Sequence, residues 1–330
     1  MSKPLTSVDT SMDREEFLDY RGLDWTQIEK AGYAVHQRFA YTYPGPIRNL
    51  HQRMIAIPAD QHGDQKLLDY RLNVSIAPYS IESLTDRFGN RIFNLFIPAV
   101  EREIVFELDF RVERTTEDGC WPRLPGEEAA LYLQTSRLTA PDEKIRAVAA
   151  ELSAQAGNPW ELAKIINDWT YRAMTYGSGA TSVSTNAAEA LAGGKGLCQD
   201  YAHIMLSICR EAGLPARYIS GHLLGEGGSH AWLEVLLPPR PEDGEPAEEA
   251  ELLAVAFDPT NHCMGNHNYV TIAVGLDYTD VSPTSGSFTA PYAGLLTSSK
   301  RAGLTLLQYH NSAACGDSAP DDLDEEGSAA

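Results

Sequence analysis

The chain has 330 residues, a formal net charge of −20 and a hydrophobic fraction of 43%. That composition belongs to an ordinary globular protein long enough for two domains, and its acidity excludes nucleic acid as a default partner, because phosphate binding needs clustered Lys and Arg. No stretch approaches the roughly 20 apolar residues of a membrane helix, and the N-terminus MSKPLTSVDTSMDREEFLDY lacks the apolar core of a secretory signal.

The expected compartment is therefore the cytoplasm, with no membrane partner. The cysteines at 120, 198, 209, 263 and 315 are odd in number and read as free thiols. The acidity is uneven. PPRPEDGEPAEEAE over 238–251 holds six acids against one Arg, and the tail over 311–330 holds six acids and no base. Both read as solvated, flexible segments, so the charge bears on solubility more than on substrate.

Residues 1–30 carry too few periodic cues to assign. From 31 the pattern turns to strand. VHQRFAYTY places apolar or aromatic residues at Val35, Phe39, Tyr41 and Tyr43, and DYRLNVSIAP and NRIFNLFIP read as further strands. EIVFELDFRVER alternates cleanly, with Ile104, Phe106, Leu108, Phe110 and Val112 on one face and Glu107, Asp109 and Arg111 on the other. The Gly-Asn pair in TDRFGNR marks a hairpin. These features predict an antiparallel β domain over 31–118 with one solvated face, then a Gly- and Pro-punctuated connector over 119–137.

Helices follow. PDEKIRAVAAELSAQAG is the first, ending at Gly157. NPWELAKIINDWTYRAM is the second, with Asn158 as N-cap, Pro159 in the first turn, Glu161 completing a capping box, and Leu162, Ile165, Ile166 and Trp169 on one face. NAAEALAGG is a short third, again with Asn three positions before Glu. A fourth begins at Cys198, carries an apolar stripe of Tyr201, Ile204, Met205, Ile208 and Ala212, and stops at Gly213 before Pro215. ARYISGHLL, HAWLEVLLP and LLAVAFDP then read as strands, with the acidic segment looped out between the last two. Helices followed by strands predict an α+β domain over 138–310, ahead of the acidic tail over 311–330.

A lone cysteine is more often a small buried apolar residue than a nucleophile. Cys198 differs by position: the first residue of a helix meets unpaired N–H groups and the positive end of the dipole, which favour a thiolate and can receive an oxyanion. Cys209, in mid-helix, reads as core. A thiolate needs a proton acceptor and donor, and His230 opens a strand after the turn GEGGS, where a first residue can face a cleft. Asp258 ends the next strand in AFDPTN. If the two strands are neighbours, it shares a rim with His230 and can orient the ring, although a turn residue before proline is the ordinary reading of Asp. His262, Cys263 and His267 cluster but lack a second ligand pair at zinc-site spacing, and there is no G-x-S-x-G elbow. Neither a metal nor another cofactor is expected.

GLCQDYAHIMLSICREAGLPARYISGHL, SHAWLEVLLP and FDPTN together resemble the transglutaminase-like (transglutaminase core) superfamily of papain-like thiol enzymes, closest to bacterial members described as cysteine proteases. NYVTIAVGLDYTDVSPTSGSF is similar to the same group's C-terminal motif, and VHQRFAYTY and LTDRFGNRIFNLFI to its β-rich N-terminal region. The likeness covers about 31–290 and departs slightly after His36, where Gln-Arg stands in place of a usual Thr. It implies a papain-like catalytic domain preceded by the antiparallel β domain. It implies Cys198 as nucleophile, His230 as base and acid, and Asp258 as the group orienting His230, acting on amide bonds of Gln or peptide substrates through a thioester. The Cys198 N–H is the first oxyanion donor expected, with the side chain of Tyr176 or Gln199 as a second. Trp232 is read either as lining the cleft or as a core aromatic. Asp200 reads as charge complementation of the helix start. The calcium requirement of animal transglutaminases does not carry over, because no D-x-D-x-D-G loop is present.

The leading expectation is a cysteine peptidase or amidase acting on a peptide or protein substrate. Protein crosslinking shares the thioester and differs only in whether an amine or water resolves it. A non-catalytic peptide-binding module is the rival from a different class.

Overall fold

The computed structural model describes residues 16–77, 79–115, 121–239 and 251–310. Most of the acidic segment (240–250) and the tail over 311–330 lie outside the described residues.

The N-terminal half is built from β1 (Ile28–Thr42), β2 (Ile47–Met54), β3 (Gln61–His62), β4 (Gln65–Val74), β5 (Ser80–Thr85), β6 (Arg91–Val100) and β7 (Glu103–Thr115). The alternation in β7 acts as expected: Ile104, Phe106, Leu108, Phe110 and Val112 are all fully buried. β7 is flanked by β1 and β4, both antiparallel. Strands β2, β6 and β5 make a second antiparallel sheet, and apolar residues of both sheets join one core. Such a pair of sheets buries one face of each strand and solvates the other.

The connector contributes structure of its own. β8 (Arg123–Pro125) and the short helix α1 (Ala129–Tyr132) precede α2 (Glu143–Ser153), α3 (Pro159–Ala173), β9 (Thr175–Tyr176), α4 (Ala187–Gly193), β10 (Lys195–Gly196) and α5 (Cys198–Glu211). The caps follow the sequence with one displacement. Asn158 accepts from the Glu161 N–H at 3.0 Å, but the Glu161 carboxylate reaches Gly157 N at 2.7 Å instead of the N-cap itself. At α4 both halves of the Asn186–Glu189 box are present. At α5 the N-cap is Leu197, which offers no side-chain acceptor, and Asp200 accepts from its N–H at 2.7 Å.

Then come β11 (Ala216–Leu223), β12 (His230–Leu237), β13 (Glu251–Asp258), β14 (Cys263–Met264), β15 (Tyr269–Gly275) and α6 (Tyr278–Val281). They form a sheet in the order β14-β13-β12-β11-β15, with β8 added alongside β13. Helix α5 packs on one face, while Leu124, Tyr132, Ile219, Trp232 and Leu236 build a second cluster on the other. Burial on both faces explains why HAWLEVLL is buried throughout. Its single acid, Glu234, is held by Arg217 at 2.6 Å and His62 at 2.8 Å. Burial works against its charge, and these two partners overcome it, bringing the carboxyl down to about 2.

The last two strands correct the expected boundaries. β16 (Thr284–Thr289) pairs with β2, and β17 (Leu295–Tyr309) pairs with β1 along nearly its whole length. Residues 284–309 therefore complete the two N-terminal sheets, and the helix-and-sheet unit expected to run to 310 ends near 283.

The two units are joined along β15, an edge strand. Its exposed backbone groups are met by side-chain amides from the β domain. Asn90 accepts from Val274 N at 2.7 Å and donates to Val274 O at 2.6 Å, and Gln65 does the same for Thr271 at 2.9 and 2.8 Å. Each amide thus imitates one residue of a missing neighbour strand and pairs the edge groups of Thr271 and Val274.

His222, on β11, lies at this junction. It is buried, stacks on Phe110 of β7 at 6.2 Å, and has no hydrogen-bond partner on either ring nitrogen among the described residues. Burial holds it down to about 3, and burial holds His203 down to about 4. Both rings are neutral in the native state, whereas an unfolded histidine takes a proton near pH 6.5. The unfolded state therefore binds more protons as pH falls from 6.5 towards 4, and stability is lost in that window. Urea midpoints are expected to drop as pH falls from 6.5 to 4. His222→Leu should remove about one proton from that slope, and an unchanged slope would show that His222 is not the group responsible.

Candidate active site

The start of α5, the first residue of β12 and the last residue of β13 meet at one rim. β12 and β13 are antiparallel neighbours in the register Leu233 to Phe257, so the beginning of one and the end of the other fall side by side. His230 Nε2 lies 2.7 Å from Asp258 Oδ2. Cys198 stands close enough to the same ring to help it hold a proton. The three expected side chains are thus brought into one connected group, buried at His230 and Asp258 and partly open at Cys198.

Asp258 is held by more donors than the sequence suggested. Its Oδ1 accepts from Thr260 N at 2.9 Å and Asn261 N at 3.2 Å, and its Oδ2 accepts from Asn261 Nδ2 and from Tyr269 OH, both at 2.8 Å. Burial alone would raise this carboxyl, but the bonds to His230, Tyr269 and Asn261 win and hold it below the usual carboxylate range. For His230 the balance is similar. Burial disfavours the cation, and hydrogen bonds to Asp258, Cys198 and Glu226 outweigh that, so the ring is raised well above an ordinary histidine. At neutral pH it is an imidazolium set between carboxylates, with the sulfur of Cys198 against it.

Trp232 does not line the cleft. It is 1% exposed and stacks behind His230, with ring centroids 6.0 Å apart, and meets Tyr269 edge-on at 5.2 Å. The packing is tight enough that a Cβ at Gly221 would overlap Trp232 and the Val270 carbonyl, which is why glycine stands there. Gln199 spends its amide on the Val183 carbonyl at 3.3 Å. Tyr176 is open to solvent, and burial and then the neighbouring Cys198 raise its hydroxyl, so it keeps its proton. Asp200 is tied to Leu197 N and to Thr181 Oγ1, both at 2.7 Å, and serves the helix start as expected.

Burial pushes Cys209 up to about 12. Cys263 is also raised by burial, and its sulfur lies 3.3 Å from Tyr269 OH. The cluster His262, Cys263 and His267 disperses: His262 pairs with Asp168 at 3.0 Å, and His267 stacks on Trp25. Hollows of about 530 and 670 Å³ lie against the β-domain hairpins and the β2–β16 sheet, and neither is lined by Cys198, His230 or Asp258.

Three participants were not singled out from sequence: Asn261, Tyr269 and Glu226, the last 3.2 Å from His230 Nδ1. Asn261 had a usable signal, because an Asn three residues after an Asp-Pro turn can close back on that Asp. Tyr269 had none, since its partner lies across a loop. Tyr269→Phe keeps the ring but removes a buried, charge-assisted bond, and is expected to cost about 1.5–3 kcal/mol of stability at pH 7. A urea titration showing a loss under about 0.5 kcal/mol would mean the hydroxyl contributes nothing net to Asp258.

A cysteine at a helix start stands with a histidine and an aspartate at the rim of an antiparallel sheet. The model of the transglutaminase-like superfamily matches residues 146–244, and that of the bacterial transglutaminase-like N-terminal region matches residues 33–113. The chain belongs to the transglutaminase-like superfamily and carries the bacterial N-terminal region ahead of its core. A crystal structure of a candidate cysteine protease from Cytophaga hutchinsonii has the same fold, with a TM-score of 0.68 at 19% identity over 86% of this chain and 93% of that one. An uncharacterized protein of Mycobacterium tuberculosis is 26% identical over 77% of this chain and 86% of its own length. An uncharacterized protein of Mycobacterium leprae is 30% identical over 47% of this chain and 54% of its own length.

Proposed function

We propose that the protein is a cysteine amide hydrolase acting on peptide or glutamine-type amides, with Cys198 as nucleophile, His230 as proton carrier and Asp258 as the group that orients and charges His230. The observation that carries this is the shared imidazole: Asp258 at 2.7 Å on Nε2 and Cys198 near enough to help the ring hold its proton. The sulfur adds to the amide carbonyl, and the oxyanion that forms is received by the Cys198 N–H, which as the first helical donor has no partner within the helix. Tyr176, beside Cys198 and protonated, is the better second donor, because the Gln199 amide is already engaged. His230 passes its proton to the departing nitrogen, the C–N bond breaks, and a thioester on Cys198 remains. His230 then takes a proton from water, hydroxide adds to the thioester, and the acid leaves with the thiol restored.

The test is mass-spectrometric trapping of an acyl-enzyme on Cys198 with a pool of peptide and glutamine amides, followed by partition with a labelled primary amine. Acylation resolved mostly by water supports the hydrolase. Amine incorporation in excess of hydrolysis would make the protein a crosslinking transferase. No adduct on Cys198 with any amide, together with intact peptide binding, would make it a binding module and end the proposal.

A further inference from the structure

Glu226 lies in the GEGGS turn between β11 and β12. Its carboxylate is 3.2 Å from His230 Nδ1, the nitrogen left over when Nε2 bonds Asp258. It is 40% exposed, whereas His230 is 2% exposed. The turn is fastened on two sides. Tyr20 packs its hydroxyl against Gly225, which has φ 88° and no room for a Cβ beside that oxygen. Lys300 of β17 donates its ammonium to the Gly228 carbonyl. The β domain thus holds this carboxylate in place at the mouth of the site.

The charges around the sulfur do not balance. His230 is one cation between two carboxylates, Asp258 and Glu226, and a thiolate adds a third negative charge. Asp258 has its negative charge absorbed by five donors. Lys300 is turned onto a backbone carbonyl, and burial holds it down to about 8. Glu226 is the anion beside the sulfur that faces solvent. Its side of the cleft is also defined. The ring nitrogen that delivers a proton to the departing amine must come within about 3 Å of that amine. A carboxylate in contact with the same nitrogen is then within about 6 Å of whatever the amine carries.

Resting on the reading of Cys198 and His230 as an acyl-transfer pair, we propose that Glu226 is a charge-selecting residue. It directs the site to amides whose departing portion bears a positive charge close to the scissile nitrogen, such as a peptide with Lys or Arg directly after the cleaved bond. At that separation, in a half-open site, one charge pair changes rates by about tenfold.

The first arm of the test needs no substrate. Cys198 is modified with methanethiosulfonates bearing a trimethylammonium, a neutral methyl or a sulfonate group, and rates are read by mass spectrometry in the wild type and in Glu226→Gln. The cationic reagent is expected to outpace the neutral one by about tenfold in the wild type and by less than about twofold in the variant. An undiminished preference in Glu226→Gln, or an equal slowing of all three reagents, overturns the proposal; the second result would make Glu226 a support for His230. The second arm compares matched peptides with lysine or norleucine after the scissile bond. The kcat/KM ratio should fall about tenfold in Glu226→Gln, and an unchanged ratio also overturns the proposal. If no amide acylates Cys198, the acyl-transfer reading fails together with the amide specificity built on it, and the first arm alone then decides whether Glu226 sets the charge preference of the thiol.

Discussion

Cys198→Ala is expected to lower acylation and turnover by at least about 10⁴-fold while leaving the fold intact. On the proposed route the sulfur forms the covalent intermediate, and its loss leaves His230 with nothing to activate but water. What survives is the backbone donor, which alone gives only a small residual rate. The structural cost is small because Cys198 is partly open and packs on the core from one side, and because His230 keeps its bond to Asp258. Circular dichroism melting should agree with the wild type within a few degrees. A variant that still turns over amide substrate at the wild-type rate would rule out the thioester route.

Asp258→Asn is expected to reduce kcat/KM by about 10² to 10⁴ and, unlike the cysteine variant, to destabilise the protein as well. Five donors converge on the Asp258 carboxylate, and an asparagine has only one oxygen to offer them. If that oxygen faces His230, Tyr269 and the Asn261 side chain, its NH₂ group points at Thr260 N and Asn261 N; the opposite orientation sets the NH₂ against the other three. Either way buried donors face a donor, a loss of about 2–5 kcal/mol. The charge on the imidazole changes as well. Burial lowers His230, and Asp258 is the first of the groups that reverse this. Without its negative charge the imidazolium loses its proton at lower pH, so the alkaline limb of kcat/KM should move down from its wild-type position. Profiles from pH 5 to 9 with urea titrations at pH 7 decide the matter. An unshifted alkaline limb and an unchanged urea midpoint would show that Asp258 neither charges the ring nor anchors the loop.

The parts of this site that were legible in the sequence share a physical basis: each is a local pattern with a fixed geometric outcome. A cysteine between a glycine turn and an apolar stripe becomes the first residue of a helix. A histidine and an aspartate at the start and end of consecutive strands reach the same rim once those strands pair. The alternation of 103–115 fixes a two-faced strand. What was missed depends on partners distant in sequence. Trp232 could be read as cleft or core, and only the packing of Tyr269 and Gly221 around it settles on core. Glu226 sits in a glycine-rich turn whose position is fixed by Tyr20 and Lys300. SPTSGSFT and LLTSSKRAGLTLLQY lack strong alternation because both serve as outer strands of their sheets, where the hydrophobic pattern is weakest.

The return of 295–309 to β1 also orders events in time. As the chain leaves the ribosome, β1 gains β7 once residue 115 has emerged, but its opposite margin stays bare until the final strand is made. Throughout that interval fifteen residues of backbone offer unmatched donors and acceptors to any other nascent strand. The domain begun first is thus completed only by a strand made after the helical unit that carries the thiol.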